Sequence, residues 1–147
     1  MFNYYQPTRI HFGLGEFENL AKISSRYGKK CLLVTTPNVL PLDKLFDRVK
    51  NVLAQSNIEV VHFDKVLPNP TCDMVSEGLH LANENKVDFV LSVGGGSSMD
   101  TSKVIALNYG LDEIDWDTLF ATGSNPFSPH DVVSENKLPL ILVPTTS

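Results

Sequence analysis

Three consecutive glycines, Gly94 to Gly96, separate an apolar run from a stretch with helical character. The run before them, residues 87–93, is rich in β-branched and aromatic residues, and apolar residues 104–107 follow them, so the pattern predicts strand, tight turn and helix. Glycines leave the backbone bare at such a turn, and the N–H groups that begin the helix point towards any ligand there. A turn of this kind binds anions, above all phosphates.

The residues after the glycines have the types that cap a helix. Ser97 or Ser98 is expected to be the N-cap, and Asp100, three residues after Ser97, resembles the acid of a capping box. Asp100 and Lys103 are three residues apart and therefore share a helix face. Alternatively, the glycines only let the strand pass closely into the helix, with Asp100 and Lys103 as a solvated pair. Three successive glycines cost more backbone entropy than packing requires, which favours the binding interpretation.

Two further strand ends carry small polar residues. Thr35 and Thr36 follow one apolar run, and Thr145, Thr146 and Ser147 follow another. In a parallel sheet these ends meet the glycine turn at one edge, where they would suit an extended ligand bearing phosphates. The sequence contains no lysine-bearing P-loop, which disfavours a P-loop nucleotidase. Gly13 and Gly15 are interpreted as a turn, because Glu18 stands where a dinucleotide fingerprint needs its third glycine.

Alternating strand and helix patterns place these residues in a fold. Strands are predicted at residues 8–12, 30–35, 59–63, 87–93 and 138–143, and a loop at 121–136. Helices are predicted from Glu16, ending at a Gly28 cap, across residues 42–57, after a Thr71 cap, after the glycine turn, and at the acidic patch 112–117. The alternation predicts an α/β fold with a mainly parallel sheet and helices on both faces.

Composition limits the class of protein. A chain of 147 residues with 42% hydrophobic residues is enough for one domain with a real core. A net charge of −5 argues against nucleic-acid or anionic-membrane partners. Cys31 and Cys72 suggest a reduced cytoplasmic protein, and neither a secretion signal nor a membrane span is indicated. The four histidines are isolated in sequence, so none is expected to bind metal.

The chain resembles the iron-containing, or group III, alcohol dehydrogenases of the dehydroquinate-synthase-like superfamily. The resemblance covers essentially the whole chain and depends on four motifs: Pro7-Thr8 with Phe12-Gly13, Pro68-Asn69-Pro70-Thr71, Gly94-Gly95-Gly96-Ser97 with Asp100 and Lys103, and Pro144-Thr145-Thr146. It implies that residues 1–147 form a Rossmann-like N-terminal dinucleotide-binding domain. The metal-binding helical domain of that family is absent from these residues, so iron or another divalent metal is expected only in a full-length enzyme.

The resemblance also implies which residues bind NAD or NADP. They are Asn69, Gly95, Gly96, Ser97, Ser98, Thr145 and Thr146, with Asp100 supporting the turn. Thr36 occupies a position where members that prefer NAD often have Asp, which leaves the choice of cofactor open. The expected substrate is a small alcohol or carbonyl compound, and a homodimer is expected. A glycerol dehydrogenase, a hydroxyacid-oxoacid transhydrogenase and a non-catalytic dinucleotide-binding module are the alternatives.

Overall fold

A parallel four-stranded sheet forms the centre of the described structure. The computed structural model describes residues 7–122 and 135–145. The strand order is β2-β1-β3-β4, and every pair of neighbours is parallel. The strands are β1 (Lys30–Val34), β2 (Glu59–Phe63), β3 (Phe89–Gly94) and β4 (Leu140–Pro144). The predicted parallel α/β sheet is therefore confirmed.

Helices cover both faces of this sheet. After a 3-10 turn at Glu16–Asn19, the α-helices are α1 (Leu20–Ser24), α2 (Asp43–Ala54), α3 (Cys72–Asn85), α4 (Gly96–Asn108) and α5 (Trp116–Thr122). α1 and α2 pack on one face through residues such as Leu20, Phe46 and Leu53. α3 and α4 pack on the other through Leu79 and Ile105. All six residues of β3 are buried, as expected for a parallel strand between two helical layers.

The structure corrects the first predicted strand. Residues 8–12 alternate in polarity, yet the structure assigns them neither to a strand nor to a helix. Ile10 and Phe12 are 72% and 97% exposed, and none of the described strands pairs with this segment. Alternation makes a strand only where a neighbouring strand accepts its backbone hydrogen bonds, so the prediction was wrong for the described chain.

Gly28 is not the cap of the first helix, which ends at Ser24. Its φ of 156° and its closeness to Asp88 explain the glycine, because a Cβ atom there would lie 2.1 Å from the Cβ atom of Asp88. The Asp88 carboxylate occupies this space because its Oδ2 atom accepts hydrogen bonds from the amides of Lys29 (2.7 Å) and Lys30 (2.9 Å). Gly28 thus leaves room for the Asp88 side chain, whose hydrogen bonds join the beginnings of β1 and β3.

Two helix starts agree with the sequence. The Thr71 hydroxyl accepts a hydrogen bond from the Met74 amide at 3.3 Å, which confirms it as the cap of α3. The acidic patch precedes α5, where Asp115 accepts bonds from the amide (3.0 Å) and the hydroxyl (2.7 Å) of Thr118. These bonds lower the pKa of the Asp115 carboxyl. Most of the predicted loop 121–136 lies outside the described residues.

Both cysteines are free thiols. Burial in β1 raises the pKa of Cys31 to about 12, so this thiol is protonated at neutral pH. In the part of the chain that the structure describes, no helix has the length and apolar character needed to cross a membrane.

Candidate functional site

The strand order creates a crevice between the ends of β1 and β3. From β1 the chain moves outward to β2, and it then returns to the opposite side of β1 to form β3. The loops that leave β1 and β3 therefore run in opposite directions, which opens a gap at the carboxyl edge of the sheet. Thr36 stands on one side of this gap and the glycine turn on the other, on strands about 4.8 Å apart.

The glycine turn presents the uncapped start of α4. Gly95 is the N-cap, with extended backbone angles (φ −84°, ψ −168°), and no side chain caps the helix. The first helical bond runs from the Met99 amide to the Gly95 carbonyl at 3.1 Å. Among the described residues, the amides of Gly96, Ser97 and Ser98 have no hydrogen-bond acceptor. A 13-residue helix thus directs three free N–H donors and its positive end at the crevice.

The prediction that Ser97 or Ser98 caps this helix was therefore wrong. Gly95 takes the N-cap position, and Ser98 lies inside the first turn with its side chain fully buried. Asp100 does not close a capping box. Its carboxylate pairs with Lys103 at 2.9 Å on the exposed side of α4, as the solvated-pair alternative expected. The role of Asp100 at the cofactor remains a prediction.

Two of the three glycines have different surroundings. A Cβ atom on Gly94 would stand 2.6 Å from the Ser98 Oγ atom and 2.9 Å from its Cβ atom, so glycine is needed there for β3 to approach α4. A Cβ atom on Gly96 would meet nothing within 4 Å. Neither residue has a left-handed φ, so conformation does not require glycine at Gly96. Gly96 leaves open space directly above the free amides, and a ligand can use that space.

Buried hydroxyls lie beneath this helix start, and two of them, Ser92 and Thr101, were not singled out from the sequence. Ser92, Ser98 and Thr101 are at most 1% exposed, and within the described chain their oxygens have no hydrogen-bond partner. The Ser102 hydroxyl donates to the Ser98 carbonyl at 2.7 Å. Small side chains of this kind let α4 sit close to β3, which fixes the height of the helix start above the sheet.

The third polar strand end is joined to the turn. The Thr145 amide donates to the Gly94 carbonyl at 3.1 Å, so β4 continues its pairing up to the first glycine. This bond brings an exposed threonine beside the turn. Thr146 and Ser147 lie outside the described residues.

Thr36 is half-buried at the end of β1, next to a contact that sequence reasoning missed. The Thr35 hydroxyl donates to the Thr36 carbonyl at 2.7 Å and lies 2.8 Å from the Nε2 atom of His62. Asn69 lies further away in the sheet order, in the loop after β2, and is exposed. Its φ of 57° is in the left-handed region, which Asn tolerates better than most residues.

No described group of three His, Cys, Asp or Glu side chains is arranged to hold a metal ion. His130 lies outside the described residues. Surface cavities of about 220 and 400 Å³ lie along α3, and their linings include none of the predicted site residues. The candidate site on this chain is therefore the open crevice at the switch point.

Comparison with known proteins agrees with this geometry. The family described as iron-containing alcohol dehydrogenase matches residues 7–147. A probable NADH-dependent butanol dehydrogenase 2 of Bacillus subtilis is 40% identical over 116 residues, which cover 79% of this chain and 30% of that protein. Choline dehydrogenase of Bacillus subtilis is 36% identical over 143 residues, or 96% of this chain and 34% of that protein.

Solved structures give the same result. An NADH-dependent butanol dehydrogenase A from Thermotoga maritima aligns with a TM-score of 0.80 and 31% identity, covering 100% of this chain and 35% of that one. An archaeal halo-thermophilic alcohol dehydrogenase from a Red Sea brine pool gives a TM-score of 0.81 and 30% identity over 98% of this chain and 36% of that one. The chain thus spans about a third of the length of the proteins it resembles.

Proposed function

This chain belongs to the iron-containing alcohol dehydrogenase family, and from that premise we propose that residues 1–147 are the NAD(P)-binding domain of such an enzyme. The observation that carries the proposal is the uncapped start of α4 beneath the open space at Gly96. Three N–H donors and a helix dipole suit the two negative charges of a dinucleotide pyrophosphate. The complete enzyme would move hydride between a small alcohol and its aldehyde or ketone.

The residues of this chain hold and orient the cofactor. The backbone of Gly95, Gly96 and Ser97 would receive the pyrophosphate, because a side chain at Gly96 would occupy the space that the phosphate needs. Thr145 would approach the cofactor from β4, beside the turn to which its amide is bonded. Thr36 would meet the adenosine ribose across the crevice. When bound, the nicotinamide accepts or donates the hydride.

The described residues do not fit an iron site. They contain no cluster of three metal-ligating side chains, so no step of the reaction is assigned to a metal held by this part of the chain. The contribution of these residues is confined to binding and orienting the dinucleotide.

The choice between NAD and NADP depends on Thr36 in this proposal. The two butanol dehydrogenases described above, from Bacillus subtilis and Thermotoga maritima, are both named as NADH-dependent. A neutral hydroxyl at the ribose neither repels a 2′-phosphate nor accepts from a free 2′-hydroxyl as strongly as a carboxylate would. We therefore expect both cofactors to bind.

We also expect a homodimer, and we expect the cytoplasm as its location because both thiols are free.

Calorimetric titration of the chain with NADH, NADPH and ADP-ribose tests the proposal. We expect one molecule of each dinucleotide per chain, and we expect ADP-ribose to bind because it retains the pyrophosphate and the adenosine. A thermal melt of the same sample shows whether the chain is folded. A folded chain that binds none of the three ligands would overturn the proposal.

A further inference from the structure

Two hydrogen bonds in series connect β2 to the end of β1. The Nε2 atom of His62 lies 2.8 Å from the Thr35 hydroxyl oxygen, and that hydroxyl donates its hydrogen to the Thr36 carbonyl at 2.7 Å. A hydroxyl has one hydrogen, so the Thr35 oxygen must accept from the ring. The network therefore assigns the hydrogen to Nε2, and the bonds run from His62 through Thr35 to Thr36.

The His62 ring is held on the α2 side of the sheet. His62 pairs in register with Leu33, and its ring meets the edge of the Phe46 ring at a centroid distance of 5.8 Å and an angle of 73°. Burial is the main cause that lowers the pKa of His62, and Lys50 lowers it further. Asp64 and Asp47 act in the opposite direction. Because its pKa is lowered from 6.5, the ring is mainly neutral at pH 7 and carries one hydrogen, which the Thr35 bond places on Nε2.

The backbone of Thr35 is already hydrogen-bonded to β2 and to the loop that follows β2. The Thr35 amide donates to the Phe63 carbonyl at 3.0 Å, and the Val66 amide donates to the Thr35 carbonyl at 3.2 Å. These bonds do not reach the peptide group between Thr36 and Pro37. In the described chain, the Thr35 hydroxyl is the hydrogen-bond donor to the Thr36 carbonyl. The side-chain relay therefore fixes the orientation of the last peptide group before the chain turns away from the sheet.

From this geometry we infer that His62 is a positioning residue for the adenosine ribose of the cofactor. It acts through Thr35 and sets the direction in which Thr36 faces the crevice between β1 and β3. The inference rests on the proposed function, because it assigns the ribose to Thr36. His62 itself does not touch the ligand. Because this peptide group is already ordered, cofactor binding does not have to order it, and the entropy cost of binding is smaller.

The test uses two pairs of variants. His62→Leu removes the ring donor, whereas His62→Gln places an amide N–H donor at a similar distance from the backbone. Thr35→Val removes the hydroxyl, and Thr35→Ser keeps it. His80→Leu is the matched control, since His80 is an exposed histidine of α3 outside the relay. Affinities for NADH, NADPH and ADP-ribose are measured by calorimetry, beside the free energy of unfolding of each variant.

We expect His62→Leu and Thr35→Val to weaken binding of all three ligands by about tenfold and to change the ratio of NADH to NADPH affinity. His62→Gln and Thr35→Ser should restore most of the affinity, and His80→Leu should bind like the parent. A purely structural role would lower stability and leave the cofactor ratio unchanged. If His62→Leu fails to fold, Thr35→Val and Thr35→Ser decide between the positioning role and the purely structural role.

The failure of this inference differs from the failure of the proposed function. If the parent binds cofactor, but neither His62→Leu nor Thr35→Val changes the affinities, the relay does not position the ribose. Failure of His62→Gln and Thr35→Ser to restore binding would also overturn the inference. If the folded parent binds neither dinucleotide, the proposed function falls, and the inference falls with it.

Discussion

The Oγ atom of Ser98 lies 2.6 Å from the position that a Cβ atom on Gly94 would occupy, whereas a Cβ atom on Gly96 would have no neighbour within 4 Å. Two glycines of one turn therefore serve different purposes. Gly94 allows β3 and α4 to approach each other, and Gly96 keeps the space above the free amides empty. Substitution at each position should have a different measurable result.

We expect Gly96→Val to abolish or strongly weaken cofactor binding and to leave most of the fold intact. Its side chain would occupy the pyrophosphate space and block hydrogen bonds from the backbone amides. Each such bond to a charged group is worth about 1.5–3 kcal/mol. Gly94→Ala should instead lower the free energy of unfolding by about 1–3 kcal/mol, because the new Cβ atom overlaps Ser98. Calorimetry and thermal melts of both variants separate the two effects. A Gly96→Val chain that is destabilised yet binds cofactor like the parent would contradict the phosphate assignment.

We expect Thr36→Asp to shift the preference towards NAD. The new carboxylate would repel the 2′-phosphate of NADP and accept a hydrogen bond from the free 2′-hydroxyl of NAD. The ratio of the two affinities should change by about tenfold, which corresponds to about 1.4 kcal/mol. Thr36→Asn is the neutral control and should leave the ratio close to that of the parent. An unchanged ratio in Thr36→Asp would place the ribose away from Thr36.

The lowered pKa of His62 predicts a pH dependence of stability. A base whose pKa in the folded chain is below its ordinary value of 6.5 binds fewer protons when folded than when unfolded. The free energy of unfolding therefore rises with pH between the folded pKa and 6.5, and above 6.5 this contribution is fully present. Urea unfolding measured from about pH 7.5 down to about pH 5.5 should show that the free energy of unfolding falls more steeply in the parent than in His62→Gln. Parallel curves for the two proteins would contradict the lowered pKa of this half-buried ring.

The two thiols should differ in reactivity. Cys31 is buried and its pKa is raised to about 12, so almost none of it is thiolate at neutral pH. Cys72 is half-buried at the start of α3. A thiol reagent such as Ellman's reagent should modify Cys72 in the folded chain and Cys31 only after unfolding. Cys72→Ser should show no labelling until it is denatured, and rapid labelling of this variant in the folded state would argue against a buried Cys31.

The sequence predicts the sheet well because its signals are local. The apolar run of β1 is continuous, those of β2 and β3 are each interrupted by one polar residue, His62 and Ser92, and the Thr71 cap lies next to the helix it begins. The errors concern contacts that form only when the elements pack together. Ser98 has the type of an N-cap, but packing against Gly94 turns it inwards. His62 and Thr35 are 27 residues apart and meet only because β1 and β2 pair in parallel register.

The separation of β3 and β4 in sequence has a consequence for how the chain folds. The crevice between β1 and β3 is built from residues 30–98, whereas β4 begins at Leu140 and pairs with β3 across a long connection. Closing a longer loop costs more entropy, so pairing of β4 should be a late event in folding. Its half-exposed residues should also exchange their amide hydrogens before those of β1. The crevice between β1 and β3 would then form first, and β4 would add Thr145 to it afterwards.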